Sequence, residues 1–312
     1  MANDSALRAA RSVTGRRPRV SRAARRLLLT FALLVAPAVL LRLLTAVYPI
    51  AQALRLASTN LDLIGQTDQF VGLANYPAMA GDFAVQSAAA FTVVFVAAST
   101  LLELVTGLLI AQLLNASFRG RAVARTINLI PWAIPTIVAA YVFQWLVDDQ
   151  FGLVAGPILA TTGVHFAPLI SAIGAQVTVV LVNVWKNAPF MAVVFLAGLQ
   201  GIPEDVYEAA KVDGAGAWQR FRHITVPMVT PIATVMGTFF VVWQLGSFDL
   251  VYGLTQGGPG VATEVLSLRI FQQGLLFFKF GYSSAISILL LAFVAVVGLV
   301  ALRVFRRLEV TM

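Results

Sequence analysis

Residues 204–223 read EDVYEAAKVDGAGAWQRFRH, a polar island between two long apolar runs. Pro203, Glu204 and Asp205 at its start and Gly214 near its middle predict a short helix, because proline and acids suit a first turn and glycine a stop. Ala209 and Ala210 remove bulk from one face, so another surface can approach closely. Glu208 and Asp213 add acceptors for a partner's basic groups. Pro227 and Pro231 then stiffen the entry to the next apolar run. A docking element and an ordinary solvated turn fit this pattern equally well on physical grounds.

The apolar runs decide the class. Of 312 residues 59% are hydrophobic and only 12% charged, outside the range of soluble globular chains. A bilayer core needs about 20 helical residues. Thr126–Val147, Thr225–Phe248 and Ser283–Leu302 meet that length without a charge, and Leu27–Ile50, Ala84–Leu114 and Ala172–Ile202 meet it with one interruption each, at Arg42, Glu103 and Lys186. They lack the polar face of helices in a soluble core. The expectation is an all-α integral membrane protein with six transmembrane helices in one domain, residues 27–307. Pro131 and Pro135 should kink the third helix.

Seventeen of the 22 basic residues sit at residues 8–26, 119–125, 211–222 and 303–307, on alternate loops and both termini. Cytoplasmic loops retain Lys and Arg, so both termini and the loop 203–224 are expected in the cytoplasm, and the +8 net charge is no nucleic-acid signal. Residues 1–26 read as a disordered basic cytoplasmic tail and residues 308–312 as a short second one. Arg25, Arg26 and the apolar Leu27–Val35 imitate a cleavable leader, but apolarity continues to Ile50, which favours an uncleaved first helix. There is no cysteine, hence no disulfide framework or thiol chemistry.

The longer string EAAKVDGAGAWQRFRHITVPMVTP, residues 208–231, resembles the EAA loop of ABC-importer permeases. Glu208, Ala209, Ala210, Asp213, Gly214, Ala215, Phe221, Ile224, Pro227 and Pro231 match that pattern. LIPWAIPT (129–136), VWKNAPFM (184–191), FDLVYGLTQGGPG (248–260) and GYSSAIS (281–287) are similar to the carbohydrate-uptake branch, relatives of the maltose and glycerol-phosphate permeases. The resemblance implies a type I ABC-importer permease fold in a bacterial inner membrane. It also implies a sister permease, two ATPase subunits that hold ATP and Mg, and an external solute-binding protein. The loop would be the coupling helix seated in an ATPase groove. By the same resemblance, Trp132, Thr136, Asn183, Asn187, Phe190, Gln244 and Ser247 line the pathway of a sugar, oligosaccharide or sugar derivative, with Asn183 the best candidate.

Polar residues inside a membrane face a cavity or each other, so each candidate could instead bond between helices. Lys186, Asp249 and Glu103 admit a rival, an ion-coupled secondary transporter. No nucleophile–base or metal pair is visible, His165 and His223 fall on opposite sides, and no phosphate-binding Gly-rich motif surrounds any lysine. No catalytic residue or cofactor is therefore expected in this chain, and ATP must be hydrolysed by a partner. Gly214→Pro, or a bulky residue at Ala209, should abolish transport while leaving membrane insertion intact; normal solute uptake by a well-expressed Gly214→Pro variant would refute the coupling role.

Overall fold

The computed structural model describes residues 22–150, 152–163 and 166–311. Residues 1–21 of the expected tail, His165 and Met312 lie outside them. Two compact units are distinguished, residues 1–52 and 53–312. Helix α1, Arg22–Ala57, begins before Leu27 because nothing in its basic start interrupts the helix, and arginine is a good helix former. Leu27, Leu29, Leu33, Leu34, Leu40, Leu41, Leu43 and Leu44 are exposed, as suits contact with lipid.

The second unit is helical throughout its described spans. Asn75–Gly81 (α2) is a short helix after the first span, and the Asn75 amide donates to the Ala57 and Thr59 carbonyls at 2.8 and 2.9 Å. This satisfies backbone oxygens that the end of a helix leaves without partners. Phe83–Asn115 (α3) starts on Asp82, whose Oδ1 accepts from the Ala84 N–H at 2.9 Å. At its far end the Leu114 carbonyl accepts from Arg125 at 3.0 Å, a cation placed at the negative end of the helix dipole. The third apolar run is a broken span. Arg121–Asn128 (α4) and Ile130–Ala133 (α5) lead into Thr136–Leu146 (α6) across a 90° bend. Pro131 and Pro135 explain the position of the bend, and its size exceeds a kink.

Ala155–Thr162 (α7) precedes Ala172–Gln200 (α8), which is capped by the Ser171 hydroxyl accepting from the Gly174 N–H at 3.1 Å. Glu204–Val212 (α9) forms the polar island, ending on Gly214 at φ +78°. Ala217–Gly246 (α10) runs 30 residues with a π-helical turn at Phe221–Thr225, and Asp249–Thr255 (α11) is a separate short helix. The fifth span thus stops before Ser247, and Asp249 opens the next element. Leu266–Phe271 (α12) with a π turn at Gln272–Leu276, and Phe280–Thr311 (α13), complete the chain.

Helix α8 is the axis of the bundle, with Val179, Met191, Ala192 and Phe195 at 0–1% exposure. Near its first half Phe91 and Phe95 of α3, Leu245 of α10 and Leu250, Val251 and Leu254 of α11 close around Val179–Val184. Near its second half Ala111, Leu114, Val229 and Phe240 pack on Met191–Leu199. Gly107 lets α3 and α8 approach this closely, since a Cβ there would fall 2.6 Å from Met191 Cγ. At the other end of α3, Asp82 Oδ2 accepts from the Tyr282 hydroxyl at 2.8 Å and faces Arg269 at 3.5 Å, and Arg269 also reaches Glu264 at 3.6 Å. Burial pushes the Asp82 carboxyl up, but the Tyr282 hydroxyl, the Ala84 N–H and Arg269 outweigh it and hold it below the usual range.

One polar knot sits inside this apolar packing. Glu103, at 0% exposure on α3, accepts at Oε1 from the amides of Asn183 at 3.0 Å and Asn187 at 3.2 Å. At Oε2 it accepts from Gln244 at 2.8 Å. Asn187 also donates to Asn183 Oδ1 at 3.1 Å. Three helices, α3, α8 and α10, are thereby tied through one carboxylate, while Gln244 Oε1 has no partner.

Glu103→Leu should strand three amides and cost about 3 kcal/mol or more, read as a lowered melting temperature of the purified chain in detergent. Glu103→Gln should melt close to the parent, because the Gln244 amide can flip to present its free oxygen. An unchanged melt for Glu103→Leu would show that the knot does not hold the bundle.

Candidate functional site

The candidate pathway is built where α5 breaks from α6. Pro131 sits in the first turn of α5, where its missing N–H is harmless. Pro135 cannot donate, and Ile134 is extended at ψ 132°. The carbonyls just before the break therefore lose their helical partners. Lys186, 6% exposed on α8, supplies them: its Nζ donates to Ile134 O at 2.6 Å and Trp132 O at 3.2 Å. Asn128 adds a tie from the end of α4, donating to the Pro189 carbonyl at 3.1 Å.

Held this way, the Trp132 ring stacks on Phe190 with centroids 4.9 Å apart and planes at 20°. Phe239 and Trp243, one turn apart on α10, stack at 5.9 Å and 28°. Together with Phe240 they wall a cavity of about 440 Å³, whose polar lining comes from Thr136, Asn187 and Lys186. A separate, smaller cavity of about 60 Å³ shares Thr136, Lys186, Asn187 and Trp243 with it and is also lined by Asn183, Gln244, Ser247 and Asp249. Aromatic faces with a few convergent hydrogen-bonding groups suit an uncharged polar solute.

The sequence candidates divide accordingly. Trp132, Thr136, Asn187 and Phe190 are brought together at the larger cavity. Asn183 and Gln244, 6% and 2% exposed, lie behind it with amide protons committed to Glu103. Ser247 donates to the Trp243 carbonyl at 3.1 Å, and its own carbonyl accepts from Ser267 at 2.9 Å. Ala133, Phe239, Phe240 and Trp243 line the large cavity and were not singled out. The four-residue spacing of Phe239 and Trp243 was the available signal, since it places both rings on one face. Lys186 and Asp249 face each other across the small cavity, whereas Glu103 belongs to the knot.

The second site is the loop. Glu208, Ala209, Asp213 and Gly214 are exposed, and Ala210 and Ala215 half-buried. Val212 and Trp218 present apolar side chains at 88% and 69% exposure. The Ala215 N–H donates to the Ala210 carbonyl at 2.9 Å, closing the turn at Gly214. Nothing surrounds Gly214 within 4 Å, so only its left-handed backbone demands glycine there. Tyr207 of α9 bonds Thr225 of α10 hydroxyl to hydroxyl at 2.9 Å. The loop is thus fastened to the helix that carries Phe239, Phe240 and Trp243.

Comparison with known proteins bears on both sites. The model of the binding-protein-dependent transport system inner membrane component family matches residues 103–310. The trehalose/maltose transport system permease protein MalF of Thermococcus litoralis is 41% identical over 241 residues, 76% of this chain and 81% of that protein. The sulfoquinovosyl glycerol transport system permease protein SmoG of Agrobacterium fabrum is 37% identical over 278 residues, 88% of this chain and 89% of that one. A bacterial alginate ABC transporter, solved in complex with an alginate pentasaccharide-bound periplasmic protein, contains a chain of the same fold. Its TM-score is 0.79 at 22% identity, over 91% of this chain and 96% of that one. With an EAA-type loop fastened to a cavity-lining helix and a family match covering both, the chain belongs to the binding-protein-dependent transport system inner membrane components and is an ABC-importer permease.

Proposed function

We propose that this permease translocates a sugar, oligosaccharide or sugar-derived solute through the cavity walled by Trp132, Phe190, Phe239, Phe240 and Trp243. The observation that carries the reading is the stacked aromatic wall at a broken span, with Thr136 and Asn187 as neutral hydrogen-bonding groups. The named solutes of the similar permeases, trehalose or maltose and sulfoquinovosyl glycerol, support a carbohydrate class.

In this reading α9 and both termini face the cytoplasm, where α9 docks on one of two ATPase subunits that hold ATP and Mg. A sister permease completes the pathway, and an external binding protein delivers the solute. This chain supplies no catalytic residue. Glu208, Ala209, Ala210, Asp213, Gly214 and Ala215 form the contact, with Val212 and Trp218 as apolar surface for it. Closure of the ATPases displaces α9, the Tyr207–Thr225 bond passes the displacement to α10, and α10 moves its side of the aromatic wall. Coupling requires that α9 bind the two ATPase states with different affinity.

A tagged chain extracted in mild detergent should copurify with an ATPase and a second permease. Reconstituted with the binding protein, that complex should take up labelled sugar with ATP inside the vesicle and continue after ion gradients are dissipated. Uptake that follows a proton or sodium gradient without ATP would overturn the reading in favour of ion coupling through Lys186 and Asp249.

A further inference from the structure

We infer that Lys186 is a positioning residue for transport: its ammonium holds the break between α5 and α6 closed and so fixes Trp132 as a wall of the solute cavity. The inference rests on the pathway proposed above. Helix α5 has only four residues, too few to be stable alone. Its carbonyls cannot be served by Pro135, which has no N–H. A cation at the carbonyl end of a helix is favoured electrostatically, more so where water is scarce. Lys186 reaches two of those carbonyls, at 2.6 and 3.2 Å, from more than 50 positions away in the chain.

The grip has a second point. Phe190 follows Lys186 by one turn on α8 and stacks on the Trp132 ring at 4.9 Å. Helix α8 therefore holds Trp132 by its backbone through a charge and by its indole through a ring. The charged group facing Lys186 from another element is Asp249 at the start of α11, across the small cavity. The ammonium is thus spent on two backbone carbonyls, with a carboxyl group across the small cavity, which makes it a clamp in place of a solute ligand. Arginine would keep a cation and several donors at this place; methionine would keep only length and apolarity.

The chain has no cysteine, so one introduced thiol reports cleanly. Ala139, in the first turn of α6 just past the break, is 2% exposed, and release of the break is expected to uncover it. In the reconstituted complex carrying Ala139→Cys, a water-soluble methanethiosulfonate should label slowly. Lys186→Met should raise the labelling rate by about tenfold or more, since local opening follows the lost stabilisation. It should also raise the KM for the sugar more than it lowers kcat, and Lys186→Arg should restore both. Lys186→Gln, which keeps amide donors but no charge, serves if the methionine variant does not reach the membrane, with a smaller rise expected. A parent-like labelling rate in the uncharged variants overturns the clamp. Faster labelling with unchanged KM upholds the clamp and instead removes this cavity from the path of the sugar.

Discussion

Inside a bilayer no water is available to satisfy a polar group, so each one must find its partner in the protein. Glu103 and Lys186 fall under that constraint, and the packing of α3, α8, α10 and the broken span follows from how they are answered. Glu103 is met by three side-chain amides from α8 and α10. Lys186 is met by two backbone carbonyls at the break before α6. Both residues lie at the α3–α8–α10 core, and together they bring the broken span, the axial helix and the loop-bearing helix into one packed unit. An apolar residue at either place would leave several buried groups unpaired at once.

Much of this was legible in the residues themselves, and the part that was not has a physical reason. Apolar length located the spans, although the helices run past the expected limits at Arg22 and stop short at Gly246. Pro131 and Pro135 announced a disturbance, but whether a proline bends a helix or breaks it depends on what receives the freed carbonyls. Here the receiver is Lys186, distant in the chain and invisible to any local pattern. Asn183 illustrates the same limit. An asparagine in an apolar helix must face a cavity or another polar group, and only packing distinguishes them. Its amide is spent on Glu103, whereas Asn187, one turn on, also reaches the cavity. Gly214 was readable because a positive φ is a local demand that glycine meets alone.

The end of the bundle opposite the EAA-type loop is organised differently. Asp82, Arg269, Glu264 and Tyr282 form a charged cluster that joins the start of α3 to the segment around α12 and to α13. Apolar residues beneath it, Val85, Ala88, Leu266 and Ile286, are fully or almost fully buried. The segment Leu266–Leu276 is therefore fixed by packing below and by ion pairs above. Near the loop the contacts are sparser and largely side chain to backbone, with Val212 and Trp218 uncovered. One end is tied by ion pairs over a buried apolar layer, and the other carries exposed apolar side chains.

The 30 residues from Ala217 to Gly246 form one helix with a π turn at Phe221–Thr225, about 45 Å long at about 1.5 Å per residue. Its first turn adjoins the loop, Phe239 and Trp243 sit near its far end, and Gln244 is pinned to Glu103 close beside them. A rod pinned near one end behaves as a lever with unequal arms. Phe239 and Trp243 lie on the loop side of that pin and within about two turns of it, so a helix pivoting there would move its rings far less than its loop end.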